Sequence, residues 1–268
     1  MKYVYPMNAN IEKVGIAGVG SLGGIVAKAL KDGLNGYMLN SISDHKDKSE
    51  WGVPNVDFAT LCRDNDVIVE CLPANVVPDL ARHALEMGKT LVMISSCALV
   101  LYPKINDMAK RSSGRIIVPS GALSGLDAVL ALAQQGITDS KIISTKPPAG
   151  FKGAPYVVEH KINLENIREK FMIFSGTVNE AAKAFPANVN VAASLALAGI
   201  GFEKTLVEVW ADPAIKGNSH EIVVSGPTST IRSKVENVPD PNNPKSSMLA
   251  GHSIVAALAK RHAQLTIL

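Results

Sequence analysis

Residues 13–30 have the sequence KVGIAGVGSLGGIVAKAL. The first six residues form a short apolar run that ends in glycine, which is typical of a buried strand. Residues 21–30 place their apolar side chains at helical spacing, and a second strand is predicted at 36–42. A strand, a helix and a strand in this order predict a βαβ unit with a right-handed crossover.

The turn between this strand and this helix carries the pattern G-x-G-x-x-G, at Gly18, Gly20 and Gly23. Gly18 permits a tight turn, Gly20 lets the backbone approach a pyrophosphate, and Gly23 allows close packing of helix and strand. Ser21 and Leu22 open the helix, whose free N–H groups attract phosphate oxygens. The pattern in this context predicts a dinucleotide site. A flavin or another nucleotide is the alternative to a nicotinamide coenzyme.

An acidic residue that binds the coenzyme ribose is expected about twenty residues beyond the glycine loop. Asp44 follows the second predicted strand and is the candidate. A carboxylate there accepts hydrogen bonds from a ribose 2′-hydroxyl and repels a 2′-phosphate, but His45, Lys46 and Lys48 favour that phosphate. The sequence therefore leaves NAD and NADP both open, and Asp44 is equally explained as a solvated turn residue.

The alternation of apolar runs and helical spacing continues to residue 118. Further strands are predicted at 66–71, 90–95 and 115–118, and helices at 58–63, 76–87 and 102–111. Strands this uniformly apolar are typical of a parallel sheet that is covered on both faces. The predicted fold class is α/β, with a Rossmann doubly wound parallel sheet.

The pattern changes after residue 120. Helices are predicted at 123–134, 163–171, 178–185 and 190–202, and strands at 141–146, 156–162, 204–210, 220–225 and 229–235. Consecutive strands joined by short turns predict a second α+β domain with a mixed or antiparallel sheet.

These patterns together predict two domains. We expect a dinucleotide-binding domain at 1–122 and a catalytic and dimerisation domain at 123–244, which ends in the turn-rich connector PDPNNP at 239–244. An amphipathic pattern at 246–262 predicts a helix within 245–268 that packs back on the first domain.

Composition excludes several classes of function. The chain has 268 residues, 47% of them hydrophobic, and a formal net charge of +3 from scattered basic residues, so no nucleic-acid partner is expected. No apolar stretch is long enough to span a membrane and the N-terminus lacks an apolar leader pattern. Three cysteines without a CxxC pattern favour a reduced, cytoplasmic compartment. The six histidines show no metal-ligand spacing, so no metal site is expected.

The most informative polar segment is DPAIKGNSHE at 212–221, a predicted loop that leads into a strand. Loops held by a rigid scaffold often carry chemistry, and His220 is a candidate general acid or base near neutral pH. A single histidine is by itself more often structural. Cys97 is a weaker candidate, as a nucleophile, because small buried cysteines are common.

Two further segments are candidates for binding the nicotinamide. Asn188 and Asn190 lie at the start of the predicted helix 190–202, where an asparagine either caps the helix or orients a carboxamide. Residues 119–122, with the sequence PSGA, follow the last strand of the parallel sheet, and ligands bind beyond the carboxyl ends of such strands.

Five segments together make the chain resemble the L-aspartate dehydrogenase family over almost its whole length. They are GVGSLG at 18–23, IIVPSGALSGLDA at 116–128, FPANVNVAASLALAG at 185–199, ADPAIKGNSHEI at 211–222 and SMLAGHSIVAAL at 247–258. The resemblance implies a Rossmann domain, a second domain whose sheet helps to form a homodimer, and NAD or NADP as coenzyme. The segment SISDHKDK at 41–48 departs from a clean acidic ending and leaves the coenzyme preference open.

The resemblance also implies roles for individual residues. His220 corresponds to the catalytic histidine of the family, and Ala122 and Asn190 correspond to positions that contact NAD, with Asn188 ranked second to Asn190. The implied reaction is the oxidation of L-aspartate to iminoaspartate, which hydrolyses to oxaloacetate and ammonia and which supplies NAD biosynthesis. The reverse amination of oxaloacetate is also expected.

The implied chemistry needs a base and cations. The substrate amine must be neutral before hydride leaves its Cα, and a histidine with a pKa near the working pH fits that need. Two substrate carboxylates require cationic or N–H partners. The candidates by chemistry are Lys146, Arg232, Lys245, Ser246 and Ser247, with Asn188 as a further substrate ligand, and the sequence does not rank them.

Two other kinds of function are weighed against this one. A homoserine-dehydrogenase-like or dihydrodipicolinate-reductase-like reductase has the same two-domain plan, but the paired histidines and lysine expected of a ring-reducing enzyme are not found. A non-catalytic NAD-binding protein would keep the glycine loop, but it would have no reason to keep the segment NSHE at 218–221.

Overall fold

The computed structural model describes residues 11–238 and 247–267. The predicted connector at 239–244 and the candidates Lys245 and Ser246 lie outside these residues. The chain divides into two compact units, of which the first comprises Met1–Ser95, Pro103–Pro119 and Ala250–Leu268 and the second comprises Ser96–Tyr102 and Ser120–Leu249. The domain boundaries that the sequence suggests, at 122 and 245, stay predictions.

The first unit is built on a five-stranded parallel sheet. Its strands are β1 (Glu12–Ala17), β2 (Tyr37–Ser43), β3 (Val67–Glu70), β4 (Thr90–Met93) and β5 (Arg115–Ile117), in the order β2-β1-β3-β4-β5. Every neighbouring pair is parallel. All four residues of β3 are buried, because both faces of the sheet are covered. The predicted Rossmann sheet is confirmed.

The helices of the first unit follow the predicted alternation. They are α1 (Ser21–Lys31), α2 (Phe58–Asp64), α3 (Val77–Glu86), α5 (Lys104–Arg111) and α10 (Met248–His262), while α4 (Cys97–Leu101) lies in the second unit. The helix predicted at 102–111 begins later, because Pro103 is its N-cap residue and Tyr102 ends α4. Ile254 and Leu258 of α10 are fully buried in one cluster with Val14 and Ile16 of β1.

The second unit contains a mixed sheet, as predicted. Its strands are β6 (Asp139–Lys146), β7 (Phe171–Thr177), β8 (Leu206–Ala211), β9 (Ser219–Ser225) and β10 (Thr230–Glu236), in the order β10-β9-β6-β8-β7. β6 and β8 are parallel, and the other neighbours are antiparallel. Alternate residues of β9, from His220 to Val224, are buried, so one face of this sheet is covered.

Helices cover that face. They are α6 (Leu126–Ala133), α7 (Pro155–Glu159), α8 (Val178–Ala184) and α9 (Asn190–Ala198). Val129, Ala182 and Leu195 from three of them share a buried cluster with Ile142 of β6 and Ile222 of β9. This packing holds the ends of β6 and β9 in fixed positions, and the candidate catalytic residues lie there.

Three predictions about elements of the second unit are wrong. The segment predicted as a strand at 156–162 is α7, because Pro155 occupies its first turn and Tyr156 packs on Phe174 and Phe185. The segment predicted as a helix at 163–171 contains a single turn of 3-10 helix at Leu164–Asn166 and the first residue of β7. Of this segment only Phe171 pairs with β8, at Ala211. The helix predicted at 190–202 ends at Ala198, before Gly199.

Within the described residues, none of the helices combines the length and the apolar character that crossing a membrane requires.

Candidate functional site

The glycine loop of the first unit forms the tight turn that its sequence predicts. Gly18 has φ +83°, and a Cβ there would lie 2.5 Å from the carbonyl oxygen of Cys71. A Cβ at Gly23 would lie 2.0 Å from the carbonyl oxygen of Gly18. Neither position tolerates a side chain, because in both the opposing atom is backbone. The loop is therefore packed tightly between β3 and α1.

The same loop is open at Gly20. A Cβ there would meet nothing within 4 Å, and Gly20 is also the N-cap residue of α1, with no side-chain hydrogen bond at the cap. The first turn of α1 holds no acidic residue. An open, uncapped helix N-terminus with partial positive charge attracts phosphate, so the cradle fits a diphosphate.

Asp44 lies against this loop and is not a solvated turn residue. Its Oδ2 accepts a hydrogen bond from the Val19 N–H at 2.7 Å, its Oδ1 accepts one from the Lys46 N–H at 3.0 Å, and its side chain is 6% exposed. Burial raises the pKa of Asp44, but the two N–H donors outweigh burial and hold the pKa below its usual value. The carboxylate is therefore anionic. The His45 side chain, 84% exposed, brings its Nδ1 to 3.3 Å from Oδ1.

Glu70, at the carboxyl end of β3, is a buried acid that the sequence analysis missed. Its Oε1 accepts a hydrogen bond from the Leu72 N–H at 2.5 Å, and its Oε2 accepts one from the Ser95 N–H at 3.0 Å. Burial raises the pKa of Glu70 to about 7. Glu70 ties together the segments that follow β3 and β4, and Gly18 packs on the first of these at Cys71. An acid at the end of an apolar strand is a signal that points to such a role.

The second unit contains a cavity of about 660 Å³ at the end of β6. Three loops line this cavity, at 147–155, 185–188 and 216–218, and the apolar residues that line it include Phe185. Its polar lining residues are Lys146, Lys152, Asn188, Lys216 and Asn218. The structure thus brings together two of the predicted substrate ligands, Lys146 and Asn188.

Lys146 is the last residue of β6 and points into this cavity. Its Nζ donates a hydrogen bond to Oδ1 of Asn188 at 2.5 Å. Among the residues that the structure describes, no carboxylate lies within ion-pair distance of this Nζ, and burial lowers the pKa of Lys146 to about 8. Within the described residues, this Nζ therefore has no acidic partner that would hold its proton.

His220 lies on the same face of the sheet, directly across from Ser144. It is 4% exposed, and its Nδ1 is 2.9 Å from Oγ of Ser144. Burial, and then the positive charge of Lys146, lower the pKa of His220 to about 3. The expectation of a histidine with a pKa near the working pH does not hold, because a buried imidazole beside a cation resists protonation.

Asn190 begins α9 but does not cap it, since Val189 is the N-cap residue and no side-chain bond is made there. Its Oδ1 instead accepts a hydrogen bond from the Cys97 N–H at 3.1 Å, and its carbonyl oxygen accepts one from Oγ of Ser96 at 2.8 Å. Burial raises the pKa of the Cys97 thiol to about 12, so it is a poor nucleophile. Ala122 is buried at 3% exposure.

Arg232 and Ser247 do not join the cavity. Arg232 is exposed and pairs with Val223, so it lies on the opposite face of the sheet from His220. The Oγ of Ser247 donates a hydrogen bond to Oδ1 of Asn237 at 2.6 Å. The predicted coenzyme residues from Gly18 to Asp44 belong to the first unit, and Ala122, Lys146, Asn188, Asn190 and His220 belong to the second.

Ser144 and the cavity residues Lys152, Lys216 and Asn218 were not proposed as site residues from the sequence. Ser140, Ser144 and Lys146 alternate along β6 on its buried face. Buried polar residues at alternate positions of a strand are costly unless they find partners, so this pattern is the signal that points to a site.

Models of two protein families match the chain. The model described as aspartate dehydrogenase, C-terminal, matches residues 127–261, and the model described as homoserine dehydrogenase, NAD binding domain, matches residues 18–119. The two matches together span both compact units.

Individual proteins are also similar over nearly the full length. L-aspartate dehydrogenase 3 of Bordetella bronchiseptica is 38% identical over 263 residues, which are 95% of this chain and 96% of that one. L-aspartate dehydrogenase of Methanosarcina mazei is 38% identical over 260 residues, which are 92% of this chain and 96% of that one. The crystal structure of aspartate dehydrogenase from Thermotoga maritima superposes with a TM-score of 0.74 at 27% identity, over 96% of this chain and 99% of that one.

Proposed function

The chain belongs to the L-aspartate dehydrogenase family, and on that premise we propose that it oxidises L-aspartate to iminoaspartate with NAD or NADP. Iminoaspartate supplies NAD biosynthesis or hydrolyses to oxaloacetate and ammonia, and the reverse amination runs through the same site. The observation that supports this substrate is the cavity at the end of β6, whose lining includes the exposed lysines Lys152 and Lys216 beside Lys146. The cationic Lys152 and Lys216 suit a substrate with two carboxylates.

The glycine loop and α1 are the groups that would hold the coenzyme diphosphate, and Asp44 would bind the adenosine ribose. Ala122 and Asn190 are proposed to contact the nicotinamide. The bound coenzyme supplies the hydride acceptor. Gly20, Ser21 and Leu22 offer the N–H groups at the start of α1, and the tight fit at Gly18 and Gly23 fixes their direction.

His220 is proposed as a catalytic residue in its neutral form. Ser144 holds Nδ1, which fixes the orientation of the ring beside Lys146. A neutral imidazole offers a hydrogen bond to the substrate without adding charge, and the buried position preserves that state over the physiological pH range.

We also propose that the protein acts as a cytoplasmic homodimer. Large apolar side chains stay exposed along β7 and β8, with Phe171 at 50%, Met172 at 43% and Leu206 at 49% exposure. The cysteines at 62, 71 and 97 are free thiols, which suits a reduced compartment. Size-exclusion chromatography with light scattering tests the dimer.

The reaction is tested with purified protein, L-aspartate and either NAD or NADP at alkaline pH, by following the absorbance of the reduced coenzyme. We expect reduction with L-aspartate, and oxidation of the reduced coenzyme with oxaloacetate and ammonia. L-Homoserine and a dihydrodipicolinate substrate serve as controls for the alternative reductases. Activity on a control alone, or coenzyme binding without turnover of any of these substrates, would reject the proposal.

A further inference from the structure

We propose that Lys146 is the base that takes the proton from the substrate ammonium before hydride leaves. This inference rests on the proposed function and assigns one step of it to one atom, Nζ of Lys146. A neutral amine is required because only a nitrogen lone pair can form the C=N bond of the imine.

The geometry around Lys146 is that of a base, and not that of a structural ion pair. Lys141, on the other face of β6, shows the contrast, because its Nζ lies 2.9 Å from Oε1 of Glu208. The Nζ of Lys146 instead contacts the neutral amide oxygen of Asn188. That contact orients Nζ in the cavity without adding the negative charge that would hold the proton on it.

Burial favours the neutral form of Lys146, and the groups on the neighbouring elements add no ion pair that would oppose it. β9 contributes the neutral His220, and the loops around the cavity contribute Lys152 and Lys216. Beyond the end of β8, the Oδ1 of Asp212 accepts a hydrogen bond from the Ala214 N–H at 2.8 Å, while the Asp212 N–H donates to the carbonyl oxygen of Lys146. Burial lowers the pKa of Lys146 to about 8, so a large share of Nζ is unprotonated at mildly alkaline pH.

His220 is poorly suited to this step. Its pKa of about 3 makes it a weak proton acceptor, and the adjacent positive charge of Lys146 opposes a second cation in the same place. Once Lys146 has accepted a proton, that opposition is stronger. His220 therefore stays neutral throughout the step.

The step itself is a single proton transfer. An N–H bond of the substrate ammonium breaks, its electron pair stays on the substrate nitrogen, and the proton moves to Nζ of Lys146. Lys146 becomes an ammonium and the substrate becomes a neutral amine. Proton release from Lys146 to water restores the base after turnover.

The first test compares the pH profile of kcat/KM for L-aspartate in wild type, Lys146→Arg and Lys146→Gln. The kcat/KM of wild type should rise with pH, and this rising limb of the profile should have its midpoint near pH 8, where Lys146 loses its proton. Both variants should lose roughly 10²–10⁴-fold in kcat and lose that limb, which is the range expected when a general base is removed. Lys183→Arg, at an exposed position of α8, is the matched control and should keep the wild-type profile.

An alternative role makes the opposite prediction. If Lys146 only binds a substrate carboxylate, then Lys146→Arg keeps the charge, raises KM, and retains both kcat and the limb near pH 8. That result would overturn the proposal. Circular dichroism and coenzyme titration show whether the variants are folded, so a misfolded variant is not mistaken for loss of a base.

Two further measurements test the proton role of Lys146 independently of the pH profiles. Acetylation of Nζ in wild type without coenzyme, followed by mass spectrometry across pH, should rise with a midpoint near 8. Small primary amines should restore the rate of Lys146→Ala in proportion to the concentration of their neutral form. Absence of any rescue, together with an acetylation midpoint above pH 10, would refute the proton role.

If wild type does not oxidise L-aspartate at all, the proposed function fails and this inference fails with it. If wild type is active and Lys146→Arg behaves as wild type, only the inference fails.

Discussion

At the scale of single residues, burial gives two nitrogen bases on one face of the second sheet different tasks. His220 is packed beside Ser144 and is held neutral, while Lys146 reaches the cavity and is only partly shifted toward neutrality. The same desolvation acts on both. The result differs because an imidazole starts from a lower pKa than an alkyl ammonium, so only the lysine remains near the working range.

Substitution of His220 tests its proposed contact with substrate. His220→Ala should lower kcat by roughly 10²-fold or more, in line with loss of one positioned hydrogen-bond donor in an active site. Coenzyme affinity should change little, because the groups proposed to hold the coenzyme diphosphate and ribose are the glycine loop and Asp44, and not His220. Steady-state kinetics and coenzyme fluorescence titration measure the two quantities. The exposed His252→Ala is the control, and a wild-type kcat in His220→Ala would remove His220 from the mechanism.

Substitution of Asp44 tests whether this residue sets the preference for NAD over NADP. The anionic carboxylate next to Val19 repels a 2′-phosphate, so Asp44→Asn should raise the ratio of kcat/KM for NADP to that for NAD by about tenfold, the effect of roughly 1.4 kcal/mol. The amide keeps one acceptor oxygen for the Val19 N–H, and this limits damage to the loop. Asp47→Asn changes an exposed charge nearby and should leave the ratio unaltered. An unchanged ratio in Asp44→Asn would show that Asp44 only supports the loop.

At the scale of elements, the two adjacent glycines of α1 have different structural requirements. A Cβ at Gly23 would lie 2.0 Å from the Gly18 carbonyl oxygen, whereas a Cβ at Gly24 would have one contact, 3.7 Å from the ring of Trp51. Gly23→Ala must therefore push the glycine loop away from the helix. Gly24→Ala fits the available space and removes a glycine from a helix interior.

We expect Gly23→Ala to weaken coenzyme binding at least tenfold, and Gly24→Ala to leave it within about twofold, while Gly24→Ala raises stability by up to about 1 kcal/mol through helix propensity. Isothermal titration with coenzyme and urea unfolding measure these effects. Equal affinities in the two variants would show that close packing at Gly23 does not set the phosphate site.

Elements whose signal is local were predictable from the sequence, and elements set by distant pairing were not. The glycine loop gave α1 and the strands on either side, because its turn chemistry lies within six residues. Thr177 and Glu180 form a capping box that marks the start of α8, which was also predicted. In contrast, β7 depends on a partner strand about 30 to 40 residues further along the chain, and the β-branched residues of α7 locally favour a strand.

The residues of the candidate site also divide into those that the local sequence indicates and those that only the fold brings together. His220 and Asn188 lie in segments that resemble the L-aspartate dehydrogenase family. Ser144 and the exposed cavity lysines are recognised as site residues only when β6, β9 and three loops come together. The pKa of His220 was also unpredictable, because it depends on burial and on the charge of Lys146 across the sheet.

At the scale of the whole molecule, one ionic cluster in the first unit joins the two ends of the described chain. The Glu12 carboxylate, at the start of β1, accepts two hydrogen bonds from Arg261 at 2.9 and 3.0 Å and lies 2.8 Å from Nε2 of His262. Tyr37 completes the cluster, since its hydroxyl accepts from Arg261 and donates to the Leu258 carbonyl oxygen. The cluster fixes the end of α10 on the sheet.

Glu12→Gln should destabilise the first unit by about 1.5–3 kcal/mol at pH 7, the range for hydrogen bonds that involve charged groups. Burial raises the pKa of Glu12, but Arg261 and His262 outweigh burial and lower it overall, so its stabilising contribution is present above the usual pKa and is lost as pH falls through the lowered value. The difference between wild type and variant should therefore shrink below pH 4.5. Urea unfolding at pH 7 and below pH 4.5, with hydrogen exchange of α10, measures this difference in stability.

The control is Glu86→Gln, which breaks an exposed ion pair with Arg82 and should cost less than about 1 kcal/mol at pH 7 and below pH 4.5. If Glu12→Gln matched that control at pH 7, the cluster would contribute no more than a surface ion pair, and the apolar contacts of Ile254 and Leu258 alone would hold α10 in place.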